Sequence, residues 1–237
     1  MMNTAILAMM FLPVAPSAQN SYALLDGSLY DVVSVWNHKK KPQAKEAHWA
    51  GLSFAYSYLT DLPANVSLNA ERSYSISWNI EDWEMPIHRH WLLVSGLGFD
   101  WSRWHFHDNT SLRNTNGYTG FFTDNRDLND SKLLVYYGKI PLTIEYQTTI
   151  LGKLFFVQGG VEGLLKLYSK SQIELQNNGS HYREDFRDLR ITPLNMRLYL
   201  GLGTKSASIF GYYQPFSMFW HGHSPELRSF GIGILLN

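Results

Sequence analysis

The chain has 237 residues, no cysteine, a formal net charge of zero, 17% charged residues and 15% aromatic residues. The missing cysteine removes disulfide, thiolate and zinc-finger chemistry, and the neutral charge balance offers nothing to a nucleic acid. The charged fraction falls well below the roughly 25% of ordinary soluble domains, while Tyr and Trp are abundant.

Met1 to Asn20 contain an apolar run, Ala5 to Val14, followed by Ala15-Pro16-Ser17-Ala18-Gln19. Small residues at Ala15 and Ala18 predict a signal peptide over 1–18 and export through the inner membrane, although no Lys or Arg precedes the run. Residues 19–46, with Lys39-Lys40-Lys41-Pro42, read as a polar N-terminal periplasmic segment, either a flexible tail or a plug. Elsewhere no apolar run reaches the roughly eighteen residues of a membrane helix, so any membrane crossing must use strands.

Residues 47–237 carry period-two alternation, the mark of strands with two unlike faces. The first, Trp49 to Tyr58, sets Leu52, Phe54, Tyr56 and Tyr58 against Gly51, Ser53, Ala55 and Ser57. The second is the cleanest, with Tyr74, Ile76, Trp78 and Ile80 against Ser73, Ser75, Ser77, Asn79 and Glu81. In the third, Trp91 to Ser102, Leu93, Leu97 and Phe99 oppose Gly96, Gly98 and Asp100. A fourth near Leu134 to Gln147 sets Leu142 and Ile144 against Lys139 and Glu145, and its Pro141 predicts a bulge or a shorter strand. In the fifth, Leu154 to Tyr168, Val157 and Val161 oppose Glu162 and Lys166, but Phe156 and Leu164 fall on the polar parity. The sixth, Leu194 to Gly203, sets Met196, Leu198 and Leu200 against Arg197. The seventh spans about Ala207 to Phe216, and the eighth, Leu227 to Asn237, presents Ile232 and Ile234 on one face.

Long and short connectors alternate between these eight strands, as the surface loops and periplasmic turns of an outer-membrane barrel do. The fold class that follows is all-β: an eight-stranded antiparallel up-and-down transmembrane β-barrel. In that fold Leu52, Phe54, Tyr74, Ile76, Trp78, Ile80, Leu93, Leu97, Phe99, Leu142, Ile144, Val157, Met196, Leu198, Leu200, Ile232 and Ile234 face lipid. Glu81, Asp100, Lys139, Glu145, Glu162, Lys166 and Arg197 form a polar network in the lumen, where near-balanced charges pair. A soluble barrel with its apolar face inward fits the same alternation, but a Gly- and Ser-rich polar face suits a narrow lumen better than a solvated exterior.

His48-Trp49-Ala50-Gly51-Leu52, Ser73-Tyr74-Ser75-Ile76-Ser77 and Gly96-Leu97-Gly98-Phe99 give residues 47–237 a pattern that resembles the small outer-membrane β-barrel proteins common in Bacteroidota. The resemblance implies an exported monomer, inserted into outer-membrane lipid by the outer-membrane assembly machinery, with no shared catalytic residue and no cofactor. The chain ends Leu235-Leu236-Asn237, where an aromatic last residue is usual in that group.

Motifs for other chemistry are sparse. His88 and His90, His105 and His107, and His221 and His223 are spaced by two, which on a strand puts both imidazoles on one face, so His105, His107, His221 and His223 are the metal candidates. An enzyme acting on envelope lipids would need a converging Ser, His and carboxylate; Ser111, His107 and Asp108 are the nominal set, without a nucleophile elbow. Gly201 to Ser206 lacks the glycines of a phosphate loop. The expected function is therefore that of a non-enzymatic outer-membrane barrel with a filled lumen. Its long loops would serve adhesion, envelope integrity or partner contact. A soluble or periplasmic barrel with a lipophilic ligand inside is the alternative, and a barrel enzyme the second.

Overall fold

In the computed structural model, residues 46–107, 109–177, 180–187, 189–222 and 224–237 are described. The expected signal peptide and nearly all of the N-terminal segment lie outside them. The strands are β1 (Gly51–Thr60), β2 (Leu68–His88), β3 (Trp91–Phe106), β4 (Thr110–Thr115), β5 (Tyr118–Thr123), β6 (Leu128–Ile150), β7 (Lys153–Asn177), β8 (Ser180–Phe186), β9 (Leu194–Thr204), β10 (Ala207–Tyr213) and β11 (Arg228–Leu236). Eight of them form a closed antiparallel ring in the order β1, β2, β3, β6, β7, β9, β10, β11, and β11 pairs back onto β1 from Leu52↔Leu236 to Thr60↔Arg228. Each of the eight expected strands has its counterpart in this ring.

One end of the ring is made of two-residue turns. Leu151 and Gly152 join β6 to β7 with φ of 51° and 76°, a left-handed pair whose twist matches that of a hairpin. Arg89-His90 and Lys205-Ser206 make the other two. The opposite end carries the long connections. The stretch between β3 and β6, expected as loop, contains the β4–β5 hairpin, closed by Asn116 and Gly117 with φ of 54° and 82°. The stretch after the fifth strand continues β7 well beyond Tyr168 and returns as β8.

Side chains of the polar parity point inward and are buried: Ser53 and Ser57 of β1, Ser75, Ser77 and Asn79 of β2, and Arg197 of β9. The apolar parity points outward. Of the positions assigned to it from sequence all are exposed except Tyr74, Leu93 and Met196, which are half-exposed; Leu52 and Leu200 are 58% and 59% exposed. No helix among the described residues is long and apolar enough to cross a membrane, which says nothing of strands.

Two local expectations are corrected. Pro141 produces no bulge: it stays in register opposite Glu162 of β7, and only the β3 side of the ladder is interrupted, between Ser95↔Leu142 and Gly98↔Lys139. The Ser95 hydroxyl donates to the Pro141 carbonyl across that gap at 2.9 Å. Of the register shifts in the ring, one in β2 bears on the expected lumen residues: Asn79 pairs with Gly98 and Glu81 with Leu97, leaving Ile80 as the extra residue. An extra residue shifts the parity of everything after it.

Candidate functional site

The interior of the ring is built in three layers. At the long-loop end Trp104, Leu133, Val135 and Leu164 from the strands meet Leu189, Ile191, Met218 and Phe219 from the connections in one apolar cluster. The β4–β5 hairpin adds Leu112 from above. At the rim of this end Arg126 clamps Asp124 (2.8 Å) and Glu184 (2.8 Å), tying the hairpin to β8. The Arg126 hydrogen bond holds the Asp124 carboxyl down to about 2, so it stays ionised at neutral and mildly acid pH.

The middle layer is ionic. Arg197 of β9 donates through Nε to Glu162 of β7 at 2.5 Å and through Nη1 to Asp100 of β3 at 3.2 Å, spanning the ring. Its guanidinium also lies over the Tyr212 ring, 4.3 Å from the centroid. Lys139 of β6 sits 3.8 Å from Glu162 and over the Trp49 indole. Ser77 and Ser102 each donate to Asp100, at 2.7 and 2.6 Å. All four charged groups are at most 3% exposed, and each acid has both a cation and neutral donors, which is what a buried charge requires.

The third layer is a strap of residues 46–50 that enters from the short-turn end ahead of β1. Trp49 is fully buried and donates its indole N–H to Glu162 at 2.9 Å. Room for the ring comes from Gly96 and Gly98 of β3, where an added Cβ would lie 3.1 and 3.0 Å from the indole. His48 stacks on Phe156 at 4.6 Å, and its Nδ1 lies 2.7 Å from Glu145 Oε1. The backbone is tied down as well: Ala47 N to Glu84, His48 N to Glu145, and both Trp49 N and Ala50 N to Asp82. The two residues that spoiled the alternation of the fifth strand thus have interior work, Phe156 under His48 and Leu164 in the opposite seal.

Among the residues assigned to the polar network, Asp100, Lys139, Glu162 and Arg197 are brought together, and Glu145 lies one layer below with His48 and Gln147. Glu81 does not join them. The bulge at Ile80 turns it outward, exposed beside Ile80 and Trp83, and hands the inward position to Asp82. Lys166 is also outside the cluster; it is half-buried and donates to the Ile191 carbonyl at 3.2 Å. Sequence parity misses Asp82, because nothing in an alternation marks a bulge, and leaves His48 unassigned ahead of the expected first strand; Trp49, expected as the first residue of that strand, lies instead in the strap ahead of β1. Asp82→Ala should therefore loosen the strap and lower stability by about 1–3 kcal/mol, because two part-buried backbone N–H groups lose their acceptor. Glu81→Ala should stay within about 0.5 kcal/mol. Denaturant midpoints of the two variants check the assignment.

The metal and enzyme candidates disperse. His105 is buried against Asp130 (2.8 Å) while His107 lies beyond the end of β3 and is exposed, so the pair does not share a face. His221 pairs with Glu226 at 3.1 Å, and His223 and Asp108 lie outside the described residues. Among the described residues no group of three or more His, Asp or Glu is placed to hold a metal ion. Ser111 is fully buried in β4, its hydroxyl donating to the Phe122 carbonyl at 3.2 Å, and so is not presented as a nucleophile. Comparison with known protein families, with characterised proteins and with solved structures finds no match.

Proposed function

We propose that this chain is a non-enzymatic outer-membrane β-barrel whose lumen is filled and sealed, and whose role is carried by the connections at its long-loop end. One observation carries the reading: the middle of the ring buries an ionic cluster lined by Ser and Asn side chains, while the outward face at the same level is apolar. A water-soluble barrel is arranged the other way, with its core enclosed and its charges facing solvent. A closed ring also leaves no unpaired ladder edge, the condition for strands in hydrocarbon.

The dimensions support it. The 10 residues of β1 and 11 of β9 match the roughly 9–11 residues that a tilted strand needs to cross a bilayer. Aromatics cluster toward both margins of the outward face: Trp91 against Tyr146 near the short turns, and Tyr58 against Phe230 and Tyr136 against Tyr168 toward the loops. In this orientation the short turns, the start of β1 and the end of β11 face the periplasm, and the β4–β5 and β7–β8 hairpins face outward for adhesion or partner contact. An ionic interior is the wrong surface for a lipophilic ligand, which weighs against a soluble carrier.

The chain should be recovered as a monomer in outer-membrane detergent fractions. It should also migrate faster on a denaturing gel before heating than after, as a closed barrel that resists detergent does. Recovery as a soluble monomer without detergent would overturn the reading.

A further inference from the structure

On the outer face of β2, β3 and β6 a notch of about 190 Å³ is lined by Tyr74, Ile76, Trp101, Arg103, Leu134 and Tyr136, with Ser102 at its base. Arg103 has the outward parity of β3, opposite Tyr74 on one side and Leu134 on the other. Its guanidinium lies 5.4 Å from the Tyr74 ring centroid, and among the described residues no carboxylate comes within ion-pairing distance of it.

The neighbouring cations differ in this respect. Lys132 is held by Asp130 at 2.8 Å and Glu174 at 3.1 Å, His105 lies 2.8 Å from Asp130, and Arg72 reaches the same carboxylate at 3.4 Å. Asp130 and Glu174 are thus already engaged by other cations, and Arg103 keeps an open fork of donors. A half-buried guanidinium with only a ring face beside it is a place where an anion is missing.

Position narrows the class of anion. The notch sits where the apolar outward face gives way to the charged cluster above, among the Tyr and Trp side chains that mark a membrane margin. Ile76, Leu134 and Trp101 provide an apolar wall that continues into the exposed face below. A ligand filling it presents two acceptor oxygens to the arginine fork, a match that arginine makes with phosphate by two parallel hydrogen bonds. It also carries hydrocarbon downward. We propose that this notch binds the phosphate headgroup of a membrane lipid, with Arg103 as the principal contact. The proposal rests on the membrane-barrel reading above.

The test uses the full chain in phosphatidylcholine bilayers containing a minor fraction of phosphatidic acid. Phosphatidic acid retained per protein is counted by native mass spectrometry, and heat-modifiable migration reports insertion separately. Arg103→Gln should retain about fivefold less phosphatidic acid than the parent, the effect of one basic contact at a membrane surface. Arg103→Lys should fall between them, and Arg89→Gln, at the opposite end of the ring, should match the parent. Equal retention by Arg103→Gln and the parent, with both inserted, overturns the site and leaves the membrane reading standing. Full displacement of the lipid by an equal concentration of inorganic phosphate overturns it as a lipid site. Failure of the parent to insert overturns the membrane reading and the site with it.

Discussion

Arg197→Met should cost about 3–5 kcal/mol, the penalty for removing one partner of a fully buried ion pair. The substituted side chain leaves Glu162 with Lys139 and the Trp49 indole, and Asp100 with only two serine hydroxyls, in an interior from which water is excluded. The loss is electrostatic more than steric, since methionine fills much of the same space. Pairing the change with Glu162→Gln separates the two. The double variant should recover part of the loss, because it removes the acid that Arg197 held most closely. Denaturant unfolding in micelles, run as a double-mutant cycle, reads the coupling directly. An additive cycle would mean that the cluster is held by packing alone.

The adjacent residue should reject what position 197 requires. Leu198 faces outward in the middle of the apolar run of β9, between Met196 and Leu200, and is 46% exposed. For a protein in water, placing a charge at an exposed site costs within about 0.5 kcal/mol. In a bilayer, arginine near the midplane costs about 2–4 kcal/mol. Leu198→Arg should therefore fold poorly into lipid vesicles and give little of the compact, unheated gel species. A harmless Leu198→Arg would mean that the outward face meets water. The two arginines, one position apart, test the inside and the outside of the same strand.

Much of this is legible in the sequence. Period two fixes which residues share a face, so Ser75 with Ser77 and Ile76 with Trp78 could be sorted from the string alone. What the string could not mark was the frame shift at Ile80. Glu81 and Asp82 are both carboxylates, so either parity leaves an acid inside, and only the pairing with Gly98 and Leu97 reveals which one it is. Lys166 stands apart from the ionic cluster for a different reason: it follows the inward parity but sits high enough on β7 to meet the Ile191 carbonyl of a connection. The β4–β5 hairpin did carry a signal, Asn116-Gly117, a dipeptide suited to left-handed backbone, hidden in a stretch otherwise polar enough to pass for loop. The strap carries less: Trp49 has the parity of Gly51 and Ser53 at the start of the expected first strand, but only the paired glycines 96 and 98 across the ring show that it has a seat inside.

The joining of β1 to β11 sets the timing of assembly. The ring has one seam, and it lies between the first strand and the last, so it cannot close until the whole chain has been made. The strap bonds share that delay, since His48 waits for Glu145 and Trp49 for Glu162, 97 and 113 residues further on. Closing such long loops is slow compared with zipping neighbouring hairpins. The hairpins at the short turns and the Glu162–Arg197 pair of neighbouring β7 and β9 need no such closure, whereas the strap and the seam both join the start of the ring to residues far along the chain.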